Sequence, residues 1–237
     1  MTMNFISRDG IGALRETTLH AELIHWYAQP GDRLEARVDG YIIDIARGDL
    51  LIEIQTKDFK SLKRKLHALV ETHPVRLVFP IPQVKWIVRL DADGKIQLGR
   101  RKAPRRSWLE GLFNELMRFP GLMAHTHFSL EALFIEMEEF QREDGRGSWR
   151  RKGRSIADKR LLAVISRTAF HTPADFLALI PPALAQPFTT RDLARSLEQP
   201  LRVAQKMAYC LSRMGALLPA GKQDRFHLYI HNPDMLV

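Results

Sequence analysis

The sequence predicts a mixed α/β domain followed by a mainly helical C-terminal domain. In roughly the first 100 residues, β-rich runs bounded by Gly and Pro turns alternate with segments of helical periodicity, which is typical of a mixed sheet flanked by helices. In the last third, helical periodicity predominates and one short β-rich run closes the chain. A basic, glycine-containing segment at residues 142–155 separates the two patterns, which predicts domains at residues 1–145 and 146–237.

The composition bounds the class of protein. The 237 residues suffice for a sizeable core, and 45% hydrophobic and 27% charged residues are typical of a globular protein in water. Lys and Arg outnumber Asp and Glu by 36 to 27, so a polyanion such as nucleic acid is the expected partner. The single cysteine, Cys210, excludes an intrachain disulfide framework and a cysteine zinc site. Because no signal peptide and no apolar run of about 18 residues is apparent, we expect a cytoplasmic protein without a membrane partner.

A helix and a strand are predicted before the central hairpin. Apolar residues recur at helical spacing over residues 17–27, and a Pro-Gly pair marks the end of this helix. Glu22 lies beside the apolar stripe, whereas His20 and His25 are interpreted as packing or surface residues. Polar and apolar residues then alternate over residues 33–38, which predicts the first strand.

A hairpin follows, and it is the strongest local signal in the sequence. Its β-rich runs, residues 41–46 and 50–56, flank a Gly-Asp turn signal, and the second run is almost continuously apolar. If the turn contains two residues, Asp44 lies opposite Glu53, and Gln55 leaves the sheet on the same face as Glu53. Two carboxylates held across a buried hairpin require a positive charge between them, and a divalent cation is the obvious candidate.

A basic helix and further strands complete the predicted sheet. Residues 57–71 have one apolar face and many Lys and Arg side chains elsewhere, which predicts an amphipathic basic helix. Residues 75–80 predict a buried strand that stops at its prolines. An Asp-Gly pair between residues 85–90 and 95–98 predicts a second hairpin that extends or edges the sheet.

The N-terminal pattern resembles the PD-(D/E)XK, or restriction-endonuclease-like, nucleases: an acidic residue and a Glu-x-Gln motif on a hairpin precede a basic helix and a strand. The resemblance implies a restriction-endonuclease-like mixed sheet and hydrolysis of phosphodiester bonds with Mg²⁺ or Mn²⁺. The family's aspartate corresponds to Asp39, because Val38-Asp39-Gly40 resembles its Pro-Asp-Gly signature, or to Asp44, which the hairpin register favours. A β-bulge at Gly40 would turn Asp39 to the face that Asp44 uses.

The same resemblance assigns the candidate active-site residues. Glu53 and one of the two aspartates would hold the metal ion, and Glu22 would add a ligand from the helix before the hairpin. Gln55 stands where the family usually has lysine, so it would orient the attacking water without carrying charge. The candidates to offset phosphate charge instead are Lys57, Lys60, Lys63 and Lys65, with Lys57 and Lys63 favoured. We therefore expect a metal-dependent nuclease acting on DNA, or a catalytically inactive DNA-binding or regulatory protein on the same fold.

The remaining chain is predicted to be mainly helical. The expected helices cover residues 108–117, 129–142, 158–167, 173–180, 190–197 and 201–214, and a strand covers residues 226–231. The last elements resemble a winged helix-turn-helix, with residues 201–214 as the recognition helix and residues 220–222 as the bend of the wing. This resemblance rests on the order of the elements and implies contact with DNA or with a protein partner.

Basic segments supply the predicted nucleic-acid contacts. One basic segment precedes and another follows the two helices predicted within residues 108–142, and a third lies in the last long helix. The predicted contact residues are Arg100, Arg101, Lys102, Arg105, Arg106, Arg150, Arg151, Lys152, Arg202, Gln205 and Lys206. DNA is the expected partner, while RNA binding and a homodimer are alternatives that the sequence leaves open.

Overall fold

One mixed β-sheet organises the first two-thirds of the chain. The computed structural model describes residues 18–104 and 109–235. In these residues seven strands form the sheet: β1 (Arg33–Val38), β2 (Tyr41–Arg47), β3 (Leu50–Ile54), β4 (Val75–Leu90), β5 (Gln97–Lys102), β6 (Phe128–Arg142) and β7 (Ser155–Phe170). Their order across the sheet is β1-β2-β3-β4-β6-β7, and β5 pairs with the C-terminal part of β4.

Helices cover both faces of this sheet. On one face, α1 (Thr18–Tyr27) buries Leu19 and Leu23 in a hydrophobic cluster. On the other, α2 (Lys63–Leu69) and α3 (Phe113–Leu116) contribute to a larger cluster. The observed architecture is thus a mixed α/β fold with a large sheet between helices. None of the helices within the described ranges is long and apolar enough to cross a membrane.

The first three strands form an antiparallel meander whose tight turns explain their register. Asp39 and Gly40 both adopt positive φ in a two-residue turn between β1 and β2, so Gly40 does not form the β-bulge that would have turned Asp39 to the face of Asp44. Across the next turn Arg47 pairs with Leu50, which confirms the predicted two-residue turn. The α2 crossover then places β4 parallel to β3, and β6 lies parallel to β4 on its other side.

Two segments predicted as helices, residues 129–142 and 158–167, are strands. They lie in β6 and β7, which pair antiparallel along almost their whole length. β6 is covered on both faces, since Leu130 belongs to one hydrophobic cluster and Leu133 to the other. A strand buried on both faces does not alternate strictly, so its apolar residues also satisfied the spacing of a helix.

The long strand β4 passes through Pro80 and Pro82, contrary to the prediction that it stops there. It continues to Leu90, and its pairing with β6 shifts register between Pro82 and Val84. Such an irregularity accommodates residues that lack an N–H to donate. The second hairpin is confirmed, because β4 turns back into β5 through a turn that contains Gly94 at positive φ.

The C-terminal third contains short helices and a small sheet. The helices are α4 (Pro173–Leu177), α5 (Thr190–Ser196) and α6 (Leu201–Arg213), and the strands are β8 (Phe188–Thr189), β9 (Leu217–Gln223) and β10 (Phe226–His231). The strand order is β8-β10-β9. Residues 220–222 lie inside β9, so the bend predicted there is wrong and the chain turns at Asp224 and Arg225 instead.

The two parts of the chain share one hydrophobic cluster. The predicted boundary at residue 145 falls in the loop between β6 and β7, and the helices α4 to α6 begin only after β7 has completed the sheet. Leu130 of β6, Phe176 of α4 and Met207 of α6 are all fully buried in the same cluster. The C-terminal helices therefore pack on the sheet domain through apolar contacts.

Candidate active site

Strands β2 and β3 of the hairpin separate after the three residue pairs next to their turn. Its paired positions end at Ile45 and Ile52, although β2 begins at Tyr41 and β3 continues to Ile54, where it remains paired with β4. Backbone groups in the opened part no longer bond across the hairpin. The backbone groups of Ile54 are at least partly buried, so they require other partners.

Side chains from three elements take the place of the missing backbone bonds. Lys65 of α2 donates from Nζ to the carbonyl oxygen of Ile42, 2.5 Å away. The N–H of Ile54 donates to Asp44 Oδ2 at 2.7 Å, and His20 Nε2 of α1 lies 2.9 Å from the carbonyl oxygen of Ile54. The opening in the sheet is therefore lined by polar side chains, and we call the group His20, Asp44, Glu53 and Lys65 the strand-gap site.

Glu53 is the most buried acid of this group. It is 9% exposed, and its Oε2 lies 2.5 Å from Lys65 Nζ. Burial raises the pKa of Glu53 to about 7, the negative charge of Asp44 adds to the rise, and Lys65 and His20 oppose it. The carboxyl group can therefore change its protonation state near neutral pH.

His20 is a member of the site that the sequence did not reveal. Because a carbonyl oxygen only accepts hydrogen bonds, the contact with Ile54 places the proton of His20 on Nε2. That nitrogen also lies 3.3 Å from Asp44 Oδ2, so one N–H faces both acceptors. The sequence carried a signal for this position, because His20 directly follows Leu19 of the apolar stripe, and both residues are buried in α1.

The structure separates the two candidate aspartates. Asp44 reaches into the strand-gap site, as the hairpin register favours. Asp39 sits in the β1–β2 turn with its side chain 58% exposed, and its Oδ2 lies 2.9 Å from Nε2 of His73. Five residue positions separate the two aspartates, which is roughly 17 Å along a strand. Asp39 therefore cannot bind the same metal ion as Glu53.

Several other predicted residues lie outside the strand-gap site. Glu22 accepts a hydrogen bond from the backbone N–H of Leu161 at 2.6 Å, which fastens α1 to β7. Lys57 and Lys63 are exposed, and Lys65 is the lysine of this segment that reaches Glu53. Gln55 follows β3 directly and is half-buried. Its backbone N–H donates to the carbonyl oxygen of Val78 in β4.

Asp44 and Glu53 offer the oxygen ligands that Mg²⁺ and Mn²⁺ prefer. Their hydrogen bonds to described residues involve Oδ2 and Oε2, which leaves Oδ1 of Asp44 and Oε1 of Glu53 for a cation. Within residues 18–104 and 109–235, no group of three or more His, Cys, Asp or Glu side chains is placed to hold a metal ion. Mg²⁺ sites in proteins commonly use only one or two carboxylates, because the ion keeps several waters and takes further ligands from substrate phosphates.

The predicted nucleic-acid contacts fall into three groups. On β5, Arg100 bonds Glu138 and lies 3.8 Å from the centroid of the Trp86 ring, and Lys102 lies 5.9 Å from the same ring. Arg101 lines a cavity together with the basic loop that carries Arg150, Arg151 and Lys152. Arg105 and Arg106 lie outside the described residues.

The third group lies on α6. Arg202 and Gln205 are exposed on this helix. Lys206 is turned toward α3, where its Nζ donates to Asn114 Oδ1 at 2.8 Å. Lys206 therefore holds α6 against the sheet domain, whereas Arg202 and Gln205 remain available to a partner.

Comparisons with known proteins place the chain in a family. A family model described as a domain of unknown function, DUF8091, matches residues 17–171, which include the strand-gap site and the whole large sheet. The chain is also 30% identical over 225 residues to an uncharacterized protein of Treponema pallidum (strain Nichols), which covers 94% of this chain and 88% of that protein. No solved structure matches the chain. The chain therefore belongs to the DUF8091 family.

Proposed function

We propose that this protein is a metal-dependent nuclease that hydrolyses phosphodiester bonds in DNA with Mg²⁺ or Mn²⁺. The observation that carries the proposal is the strand-gap site, where Asp44 and Glu53 meet beside Lys65 on an opened hairpin. Burial and the nearby charge of Asp44 both oppose the ionisation of Glu53. Strongly perturbed acids of this kind are characteristic of functional sites.

The arrangement of elements supports a PD-(D/E)XK-like fold. A helix, a hairpin with two acids, a basic helix and a parallel strand follow one another as α1, β2–β3, α2 and β4. Lys65 comes from the helix directly after the hairpin, where a lysine can compensate for Gln55. The proposed likeness therefore rests on both the element order and the side chains that converge.

Each residue of the strand-gap site has a role in the proposed reaction. Asp44 and Glu53 would hold the metal ion, which when bound supplies an activated water and positive charge for the transition state. Glu53 is able to exchange a proton near pH 7. Lys65 offsets negative charge, and His20 orients Asp44 through its Nε2 proton. Gln55 would orient the attacking water by hydrogen bonding.

The C-terminal elements support a DNA-positioning role. Their order, α4, β8, α5, α6 and the β9–β10 hairpin, resembles a winged helix with α6 as the recognition helix. Arg202 and Gln205 are exposed on α6 and offer hydrogen-bond donors to a DNA groove. We propose that this part orients the duplex relative to the strand-gap site.

Cleavage assays with matched variants test the nuclease proposal. Purified protein with Mg²⁺ or Mn²⁺ is expected to cut duplex, branched or single-stranded DNA, and Glu53→Gln is expected to abolish cutting. Asp44→Asn should lower the rate by at least about a hundredfold, since it removes a metal ligand. Asp39→Asn, the matched control in the β1–β2 turn, should retain activity.

Two results would overturn the proposal. One is wild-type protein that is as inert as Glu53→Gln on all three substrates. The other is loss of activity in Asp39→Asn with retention in Asp44→Asn, which would exclude the strand-gap site as the reacting centre.

A second candidate is a catalytically inactive DNA-binding or regulatory protein on the same fold. The observation that favours it is the close pairing of Lys65 with Glu53, which neutralises the carboxylate without a metal ion. Calorimetry separates the two functions: Mn²⁺ binding that Glu53→Gln removes supports the nuclease, whereas DNA binding without any Mn²⁺ binding supports the inactive protein.

A further inference from the structure

The basic loop at residues 145–154 has a fixed conformation. The N–H of Gly147 donates to the carbonyl oxygen of Gly153 at 2.6 Å, and the N–H of Gly153 donates to Ser148. A Cβ at Gly147 would lie 1.6 Å from the carbonyl oxygen of Arg154, so only glycine allows this approach. The glycines therefore close the loop on itself.

This loop presents an exposed indole ring. Trp149 is 83% exposed, and the guanidinium carbon of Arg150 lies 5.6 Å from the centroid of its ring. An exposed tryptophan on a fixed loop, next to cations, is unfavourable in water alone. It is a suitable platform for a flat aromatic partner.

A basic cavity of about 430 Å³ adjoins the loop. Six cations line it: Lys85, Arg101, Arg150, Arg151, Lys152 and Arg154. Its lining also includes Glu139 and Gln141, which are 6% and 5% exposed, and the Gln141 amide donates to Glu139 at 2.7 Å. The cavity therefore combines a cationic wall with buried hydrogen-bonding groups.

Most of these cations have no acidic partner within residues 18–104 and 109–235. Glu139 pairs with Lys85 at 3.2 Å, and Glu143 pairs with Arg154 at 3.0 Å. Arg101, Arg150, Arg151 and Lys152 form no ion pair with any described residue. Burial lowers the pKa of the nearby Lys159; the charge of Glu139 opposes this, and the charges of Lys85, Lys57 and Arg151 add to it.

We propose that the loop and the cavity bind an unpaired stretch of DNA, with Trp149 stacked on a base and the unpaired cations holding the adjacent phosphates. The face of a base is open to an indole ring only where the base is unpaired or at an end. The phosphates of the DNA would be the negatively charged partners of Arg101, Arg150, Arg151 and Lys152. The inference rests on the proposed function for its choice of ligand and specifies the substrate as single-stranded or frayed DNA.

Binding without metal tests this inference separately from catalysis. Anisotropy of a labelled single-stranded DNA oligonucleotide is measured in EDTA, where no cleavage is required. Trp149→Ala is expected to weaken binding about tenfold or more, and Trp149→Phe to retain most of the affinity. Trp26→Ala is the matched control, because Trp26 is a half-exposed tryptophan on α1. The Trp26→Ala variant should bind the oligonucleotide with the affinity of the wild type.

The salt dependence tests the role of the cations in binding phosphates. The double variant Arg101→Ala, Arg151→Ala should lower the slope of log affinity against log salt by about 0.7 for each phosphate that the protein no longer neutralises. Equal affinity of Trp149→Ala and wild type, or tighter binding of blunt duplex than of single strand, would overturn the inference. Equal or tighter binding of RNA of the same sequence would overturn the choice of DNA.

Failure of the two proposals is distinguishable. Trp149-dependent binding in EDTA without any cleavage under Mg²⁺ or Mn²⁺ would contradict only the nuclease. Glu53-dependent cleavage with unchanged binding by Trp149→Ala would contradict only the role of the loop.

Discussion

At the scale of residues, burial determines which acids can act together. Glu53 is enclosed by the sheet and α2, while Asp39 lies in an exposed turn only five residues from Asp44. Burial raises the pKa of Glu53, and the charge of Asp44 adds to this rise. The charge of Lys65 opposes this rise without cancelling it, so the pKa of Glu53 is about 7.

The raised pKa of Glu53 predicts a pH-dependent stability. Its pKa is about 7 in the folded protein, against an ordinary value of 4.5, so the folded state retains a proton that the unfolded state has released. This contribution is fully present below about pH 4.5 and is lost as the pH rises to about 7, a change of about 3 kcal/mol. Urea unfolding should show wild type losing this stability relative to Glu53→Gln between pH 4.5 and 8. An equal pH dependence of both proteins would contradict the raised pKa.

Two lysines on the same helix provide a matched test of the ion pair. Lys65→Met leaves Glu53 buried without its cation, which should lower the free energy of unfolding by about 3 kcal/mol at pH 8. Lys63→Met changes an exposed side chain and should stay within about 0.5 kcal/mol of wild type. Denaturant titrations measure both, and equal effects would show that Lys65 is not the partner.

At the scale of elements, close backbone approach fixes the segments that present functional groups. The opened hairpin keeps its shape because Asp44, His20 and Lys65 bond its free backbone groups. The loop at residues 145–154 keeps its shape because Gly147 fits against Arg154. Glycine in this loop between β6 and β7 therefore marks a position where two backbone segments pack closely.

Gly147→Ala is expected to distort the basic loop. Its Cβ would overlap the carbonyl oxygen of Arg154, so we expect a loss of about 1–3 kcal/mol in stability and altered Trp149 fluorescence. Gly121→Ala is the control, because a Cβ there meets nothing within 4 Å at an unstrained φ. Thermal unfolding compares the two, and an unchanged Gly147→Ala protein would contradict the close approach.

At the scale of the whole molecule, one hydrophobic cluster joins the sheet to the C-terminal helices. It contains Leu77 of β4, Phe113 of α3 and Leu211 of α6, all fully buried. Removing any one of these layers would expose apolar surface on the others. The fold is therefore expected to be cooperative across both parts of the chain.

We expect a single unfolding transition for the chain. Tryptophan fluorescence and far-ultraviolet circular dichroism should give coincident denaturant curves, because both parts depend on the shared cluster. Met207→Ala on α6 should shift both probes together by about 2–4 kcal/mol. Two separated transitions would instead indicate that the C-terminal helices fold independently.

The sequence by itself determined the local features of this protein. Helix α1, the β2–β3 hairpin and helices α5 and α6 follow from caps, turn residues and apolar periodicity, which act over a few residues. The predicted two-residue turn gave the correct hairpin register for the same reason, although the pairing ends at Ile45 and Ile52, one position before Asp44 and Glu53. These signals require no knowledge of distant contacts.

Only the tertiary structure decided what depends on distant partners. β6 and β7 are strands because neighbouring strands complete their hydrogen bonds, which outweighs their helix-like spacing. His20 and Lys65 join the strand-gap site because α1 and α2 pack on opposite faces of the sheet and reach the same opening. Trp149 and Arg101 lie more than 40 positions apart in the chain, and only the pairing of β4, β5, β6 and β7 brings the cavity and the loop together.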